Sequence, residues 1–201
     1  MAILSSRCRA SVGGHAALLI LSRVSALGLV VALGNCLVAQ SLEPPIDEYK
    51  VKAAFLYNFA KFVQWPAEAF QSATEPITIC ILGQDPFGSS LEDTVAHRPV
   101  EGRSFIVRHI STLKQGAGCH VLFVSSAENK RSSPSLADIQ APGILTIGES
   151  DSSNPDGSVI NLRLDGGKVR FDINVAAADR AKLHISSRLL SLAHVIEPTH
   201  K

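Results

Sequence analysis

The sequence predicts an α/β protein: a single three-layer domain with a mostly parallel sheet, a C-terminal antiparallel hairpin and flanking helices. Short β-branched runs, the first at residues 77–83, are separated by helical segments, as in parallel strands joined by crossover helices. The last two strands are separated only by Asp165-Gly166-Gly167, which is a strong hairpin signal. No internal repeat or low-complexity linker divides the chain, so one domain is the simplest assignment.

The beginning of the chain has the pattern of a cleavable export signal. Three arginines are the only charged residues before position 43, and the apolar run 24–34 follows the last of them. Ala39 then provides the small residue that a cleavage site requires. We therefore expect a signal peptide at 1–39 and a mature domain at 40–201, with its core at about 48–197.

Two other interpretations of this leader remain open. Residues 15–39 resemble an uncleaved membrane anchor, but Arg23 interrupts them, and a spanning helix needs about 20 predominantly apolar residues without a central charge. Cys36 follows Leu-Gly-Asn, which partly resembles a lipoprotein signal, although Asn35 stands where a small residue is usual.

The charge balance argues against a nucleic-acid-binding protein. The chain contains 19 Lys and Arg against 18 Asp and Glu, and removal of 1–39 takes away three arginines and no acid, leaving a net charge of −2. No cluster of basic residues interleaved with aromatics remains, and such a cluster is the usual signature of nucleic-acid binding. The 162 residues that remain of 201 suit one domain with a single core.

The first element of the mature domain is predicted to be an amphipathic helix that ends at Trp65-Pro66. We expect its apolar face to pack on the sheet, and docking of a partner is the alternative. The predicted apolar face contains Val51, Ala54, Phe55, Asn58, Phe59, Phe62 and Val63, and the opposite face contains Lys52, Tyr57, Lys61 and Gln64.

The strands and later helices follow from the same patterns. Residues 77–83 contain no polar alternation beyond Thr78, which predicts a central strand covered on both faces. Further strands are predicted at 103–110, 119–126 and 144–147, with helices after the first strand and at about 135–139. After the hairpin, one terminal helix is predicted, with a face of Ala181, Ile185, Leu189, Leu192 and Ile196 and a stop at Pro198.

The loop at 83–88 is the strongest candidate for a ligand site. It follows a strand in a parallel sheet, where such folds bind ligands, and Gly83 and Gly88 could admit a phosphate. It matches neither the dinucleotide-binding nor the Walker pattern. An Asp-Pro turn that begins the next helix explains the same residues and is preferred.

Catalytic and metal-binding motifs were sought among the histidines, serines and acids. The six histidines beyond the leader form neither H-x-x-x-H nor H-x-H, and the acidic loop at 149–158 does not fit a calcium loop. Ser125 and Ser126 are not part of a G-x-S-x-G elbow. We therefore predict no catalytic residue, no cofactor, no metal site and no enzymatic activity.

Cysteine usage agrees with export. Cys8 and Cys36 leave with the leader, so that Cys80 and Cys119 are the only cysteines of the mature chain. Two cysteines in an oxidising compartment predict one disulfide. The alternatives are two buried free thiols, or a thiolate site that includes His120 and binds a metal ion.

Six blocks of the sequence, taken in order, resemble the YfiR-like periplasmic proteins. They are YKVKAAFLYNFAKFVQWP, ITICILGQDPFG, EGRSFIVRHI, CHVLFVSS, GILTIGES and KVRFDINVAAADRAKLHISSRLLSLAHVI. The resemblance implies a periplasmic repressor that binds the periplasmic domain of an inner-membrane diguanylate cyclase and lowers cyclic-di-GMP and biofilm formation. It also implies a homodimer and an outer-membrane lipoprotein that sequesters the repressor.

The resemblance also bears on individual residues. Cys80 and Cys119 match the disulfide pair of the family, whereas the second pair of some relatives has no counterpart here. No motif marks the partner-binding residues, which stay unassigned. The alternative function is a periplasmic small-solute-binding or sensor module that uses the carboxyl edge of the sheet and has no cyclase partner.

Overall fold

The structure is a computed structural model that describes residues 47–129, 141–150 and 157–196. Its helices are α1 (Glu48–Phe62), α2 (Ser90–Val95), α3 (Ser126–Asn129), α4 (Val175–Arg180) and α5 (Ser187–Leu190). Its strands are β1 (Val63–Gln64), β2 (Ile77–Leu82), β3 (Phe105–Ile110), β4 (Val121–Val124), β5 (Leu145–Glu149), β6 (Ile160–Asp165), β7 (Lys168–Asn174), β8 (His184–Ile185) and β9 (His194–Ile196). Two 3-10 turns lie at Ala67–Ala69 and Leu113–Gly116.

The described part of the chain forms a seven-stranded sheet in the order β3-β2-β4-β5-β6-β7-β9. The first five strands in this order are parallel, β7 is antiparallel to β6, and β9 is parallel to β7. Strands β1 and β8 form a separate antiparallel pair. The predicted fold class, an α/β protein with a mostly parallel sheet and a C-terminal antiparallel hairpin, is confirmed.

The strand order places a topological switch point between β2 and β4. The chain passes from β2 to β3 on one side and returns to β4 on the other. Helices therefore leave in opposite directions from the carboxyl ends of β2 and β4, and sheets of this kind bind ligands in that crevice. Strand β2 is central and almost completely buried, as its uninterrupted apolar sequence predicted.

The hairpin forms where the sequence predicted it. Gly166 and Gly167 have φ angles of 56° and 75°, so both central residues of the turn are left-handed. Such a turn matches the twist of the two strands and strongly favours glycine. In the resulting register, Leu162 faces Phe171, and both side chains are buried.

The predicted face of α1 is wrong in part. The helix begins at Asp47, whose carboxylate accepts a hydrogen bond from the Tyr49 N–H at 3.2 Å. Its buried residues are Lys52, Ala53, Leu56, Phe59 and Ala60, whereas Ala54 is exposed. The buried stripe is rotated towards Ala53 and Leu56, which pack in the core, and Lys52 is buried with them because it forms ion pairs that hydrophobic periodicity cannot show.

The predicted continuous terminal helix is also wrong. Helix α4 ends at Arg180, where Lys182 has a φ of 55° and the Leu183 N–H donates to the Ala178 carbonyl at 2.9 Å. The chain then extends as β8 to pair with β1, and Ser186 caps the short helix α5. Backbone pairing with other strands therefore replaces the helical stripe.

Apolar side chains pack on both faces of the sheet. One face packs against α1 and α2 in a large core that includes Leu56, Phe59, Leu91 and Phe123. The other face carries a smaller cluster around Cys80, Cys119 and Leu122. The predicted leader, the helix at about 135–139 and the stop at Pro198 lie outside the described residues.

Candidate functional site

A buried ionic cluster lies at the carboxyl end of β5. Glu149 is the last residue of that strand and is 6% exposed, and Lys52 of α1 is 2% exposed. The Lys52 ammonium is bonded to the carboxylates of both Glu149 and Glu48. The Ser126 N–H donates to Glu149 at 2.9 Å. The cluster thus ties the first turns of α1 to the carboxyl edge of the sheet.

Tyr49 covers this cluster. Its hydroxyl donates to Glu149 at 3.2 Å, and its ring centroid lies 4.6 Å from the Lys52 ammonium. Burial, and next the charge of Glu149, raise the pKa of the Tyr49 hydroxyl well above its ordinary value. The hydroxyl is therefore protonated at neutral pH and can donate a hydrogen bond to Glu149.

The aromatic cover extends across the switch point. The ring of Tyr49 meets Phe87 edge-on at 5.5 Å between centroids, and Phe87 meets Phe123 of β4 at 4.8 Å. Phe87 follows β2, so these rings occupy the region beyond the carboxyl ends of β2 and β4. Aromatic side chains of the protein itself therefore lie in the region in which the small-solute alternative would place its ligand.

The loop at 83–88 is organised by its own residues. The Asp85 carboxylate accepts a hydrogen bond from the Phe87 N–H at 2.8 Å and lies 3.2 Å from His109 Nε2. Helix α2 begins at Ser90, four residues later than the Asp-Pro turn predicted. The turn therefore positions Phe87 in the core and does not itself begin the helix.

Cys80 and Cys119, the expected pair, are joined by a disulfide in the structure. Their Cα atoms are 5.8 Å apart, within the usual range for such a bond. Cys80 is fully buried and Cys119 nearly so. The bond ties β2 to the segment that leads into β4 and forms part of the smaller apolar cluster.

His120, next to the disulfide, is buried and fully hydrogen-bonded. The Thr78 N–H donates to its Nδ1 at 3.0 Å, and its Nε2 lies 3.0 Å from the Ala69 carbonyl oxygen. Nδ1 must therefore be the acceptor and Nε2 the protonated nitrogen. The ring stacks on Phe70 at 4.4 Å. Burial lowers the pKa of His120, so the neutral form is favoured.

The disulfide and this tautomer leave no thiolate or ring nitrogen for the alternative metal site. Within the three described ranges, no group of three or more His, Cys, Asp and Glu residues is placed to hold a metal ion. Of the serines considered, Ser126 contributes its backbone N–H to Glu149. In the same part of the chain, no helix is long and apolar enough to cross a bilayer.

Two depressions on the surface adjoin α1 and the hairpin. One, of about 510 Å³, includes Phe55, Phe171 and Leu192 in its lining, and the other, of about 420 Å³, includes Val51 and Leu164. Phe55 lines both. A third depression of about 590 Å³ lies at the opposite end of the sheet, beside Trp65, Phe70 and Arg103.

Sequence reasoning missed the Lys52–Glu149 pair. One signal was present: Glu149 stands at the end of an apolar strand, and Lys52 is followed by apolar residues. Each charge taken alone fits a solvated surface, and only the tertiary structure brings them together.

Residues 49–194 match the model of a family described as YfiR/HmsC-like. The match spans all of the elements described above except the first residue of α1 and the last two residues of β9. A search of curated proteins found no match.

Proposed function

We propose that this chain, which belongs to the YfiR/HmsC-like family, represses a diguanylate cyclase from the periplasm. In this proposal, residues 1–39 are a cleaved signal peptide, and the domain at 40–201 binds the periplasmic region of an inner-membrane diguanylate cyclase. The observation that carries the proposal is the family match over residues 49–194.

Repression by binding requires a preference between two states of the cyclase. A ligand that binds the active and inactive states equally well shifts neither. A preference of about 3 kcal/mol would change the ratio of the two states roughly 150-fold, which is within the usual range of allosteric coupling. In this proposal the protein acts as a regulatory ligand of the cyclase and not as an enzyme.

Two features of the fold support a binding role. The disulfide joins β2 to the segment before β4, and the Lys52–Glu149 pair joins α1 to β5, so both cross-links hold neighbouring elements together. Exposed apolar side chains such as Leu192, 71% exposed, surround the depressions beside α1. Contiguous exposed apolar surface commonly marks a protein interaction site.

The proposal also includes two further interactions. The protein forms a homodimer, and an outer-membrane lipoprotein is its second partner.

The partner can be identified by capture from membranes. An affinity-tagged full-length protein is crosslinked in living cells, recovered from detergent-solubilised membranes and analysed by mass spectrometry. We expect enrichment of a membrane protein with a diguanylate cyclase domain over an exported, tagged control protein. Recovery of a bound small metabolite with no cyclase would overturn the proposal in favour of the small-solute alternative.

A further inference from the structure

Half of strand β7 has an edge that no described residue pairs with. The strand pairs with β6 over residues 168–173, but its ladder with β9 covers residues 172–174 only. Among the described residues, none continues that ladder to 168–171. Such an edge offers backbone N–H and C=O groups to which an added strand can bind.

A partly apolar depression lies beside this edge. Its apolar lining consists of Phe55, Val169, Phe171, Leu192 and Ala193, and its polar lining of Arg163, Asp165, Arg170 and His194. The volume is about 510 Å³, and the second depression continues from it past Leu164. There is thus room for side chains of an added segment next to the backbone groups that would bind it.

Two exposed cations lie on the open half of β7, within a mixed set of charges around the depressions. Glu48 shares the Lys52 ammonium with Glu149, and Asp165 shares Arg163 with Asp172, so each of these groups has one more carboxylate than it has cations. Lys168 and Arg170 are exposed, and no ion pair joins either of them to another described residue, although Asp165 lies opposite Lys168 on β6. On the open half of β7 itself, the charged side chains next to an added strand would therefore be these two cations.

The alternation of side chains along β7 determines which segment fits. Val169 and Phe171 point to the face covered by α1, where Phe171 contacts Phe55, and Lys168 and Arg170 point to the other face. An added strand places its own residues on the same two faces in alternation. Apolar residues would face Val169 and Phe171, and acidic residues would face Lys168 and Arg170.

We propose that the open edge of β7 binds an extended segment of a partner protein in which acidic and apolar residues alternate. Backbone hydrogen bonds to residues 168–171 supply the attachment, and the depression and the two cations supply the specificity. This inference rests on the proposed function only in taking the partner to be a protein. The periplasmic region of the cyclase is the first place to look for such a segment.

Synthetic peptides test the edge without knowledge of the partner. Amide spectra of the isotopically labelled mature protein are recorded with a heptapeptide of alternating Glu and Val. Two control peptides replace Glu by Lys, or the central Val by Pro. We expect the Glu peptide to shift the amides of 168–171 and Leu192, and both controls to bind far more weakly. Absence of binding by the Glu peptide, or shifts confined to β3 at the other edge, would overturn the proposal.

Charge reversal tests the role of the two cations. The variant K168E/R170E changes exposed residues only, and K61E/K114E makes the same change in net charge at exposed lysines outside the depressions. At low ionic strength we expect K168E/R170E to lose about tenfold in affinity for the Glu peptide and to prefer the Lys peptide. The control should bind like wild type. Equal affinity of both variants for the Glu peptide contradicts the proposal.

The same variants are then compared for binding to the purified periplasmic region of the captured cyclase. Weaker binding of K168E/R170E alone supports the edge as the docking site. If both variants bind the cyclase as tightly as wild type, the edge is not the docking site, and the repressor function stands. If wild type binds no cyclase, the repressor function fails, and the peptide titration still decides whether the edge accepts an acidic, apolar strand.

Discussion

Lys52 and Glu149 join a helix to the sheet through charges that are removed from water. Such a pair contributes little compared with a well-packed apolar pair, but loss of one partner is costly because the other charge stays buried. In this cluster, Glu149 also accepts hydrogen bonds from Tyr49 and from the Ser126 N–H. The first turns of α1 are therefore attached to β5 by the Lys52 ammonium together with the Tyr49 hydroxyl.

We expect Lys52→Met to lower the free energy of unfolding by about 3 kcal/mol, because it leaves Glu149 buried without its cation. Urea unfolding measures the effect. The matched control is Lys61→Met, which changes an exposed lysine of the same helix and should be nearly neutral. An equal, small loss for the two variants would show that the ion pair is not important for stability.

His120 makes stability depend on pH. Burial lowers its pKa from an ordinary value of 6.5. The hydrogen bond to the Ala69 carbonyl and the charge of Glu75 raise the pKa by smaller amounts, and Arg103 lowers it further. The unfolded chain therefore binds a proton at a higher pH than the native state does. The contribution of neutral His120 is complete above about pH 6.5 and is lost as the pH falls from there towards the native pKa.

The variant His120→Asn tests this dependence. It removes the titrating ring, so the difference in unfolding free energy between wild type and variant should be larger at pH 7.5 than at pH 5.5. His97→Asn is the control, because His97 is exposed and its φ of 57° suits Asn. A difference for His120→Asn that does not change between the two pH values would contradict the assignment.

Single residues were predictable where chemistry left few choices. Cys80 and Cys119 were the only two cysteines of the predicted mature chain, and they are bonded. Lys52 was placed on the wrong face of α1, since its burial depends on Glu149, which lies 97 residues away in the sequence. A partner so distant leaves no local pattern.

The disulfide acts at the scale of elements, since it joins β2 to the segment before β4. The two cysteines are 39 residues apart, and on the chain-entropy model closure of such a loop contributes about 4 kcal/mol. We expect C80A/C119A to unfold at clearly lower urea concentration than wild type. Reductant should lower the midpoint of wild type and leave that of the variant unchanged. A variant as stable as the oxidised wild type would show that the bond does not stabilise the fold.

Elements with a strong local pattern were predicted well. Strand β2 is an unbroken apolar run, and the Gly166-Gly167 turn defines the hairpin. The segment after α4 was predicted wrongly, because its apolar residues recur at a spacing close to that of a helix. Its conformation is set by pairing of β8 with β1 and of β9 with β7, and these contacts are long-range.

At the scale of the whole molecule, the strand order and the side chains that lie at the switch point are the features that bear most on ligand binding. The order β3-β2-β4 creates the switch point, and the rings of Tyr49 and Phe87 lie against each other near it. The sequence predicted which edge of the sheet to inspect, but not that aromatic side chains would occupy it. The open edge of β7 was not predicted either, since its exposure depends on how far the β9 ladder extends.

The central claim is that the exported protein restrains cyclic-di-GMP synthesis, and the concentration of cyclic-di-GMP in cells tests it most directly. Deletion of the gene should raise that concentration. A full-length copy should restore the original concentration, whereas a copy that lacks residues 1–39 should not, because it stays in the cytoplasm. An unchanged concentration after deletion, under both oxidising and reducing growth conditions, would contradict the account.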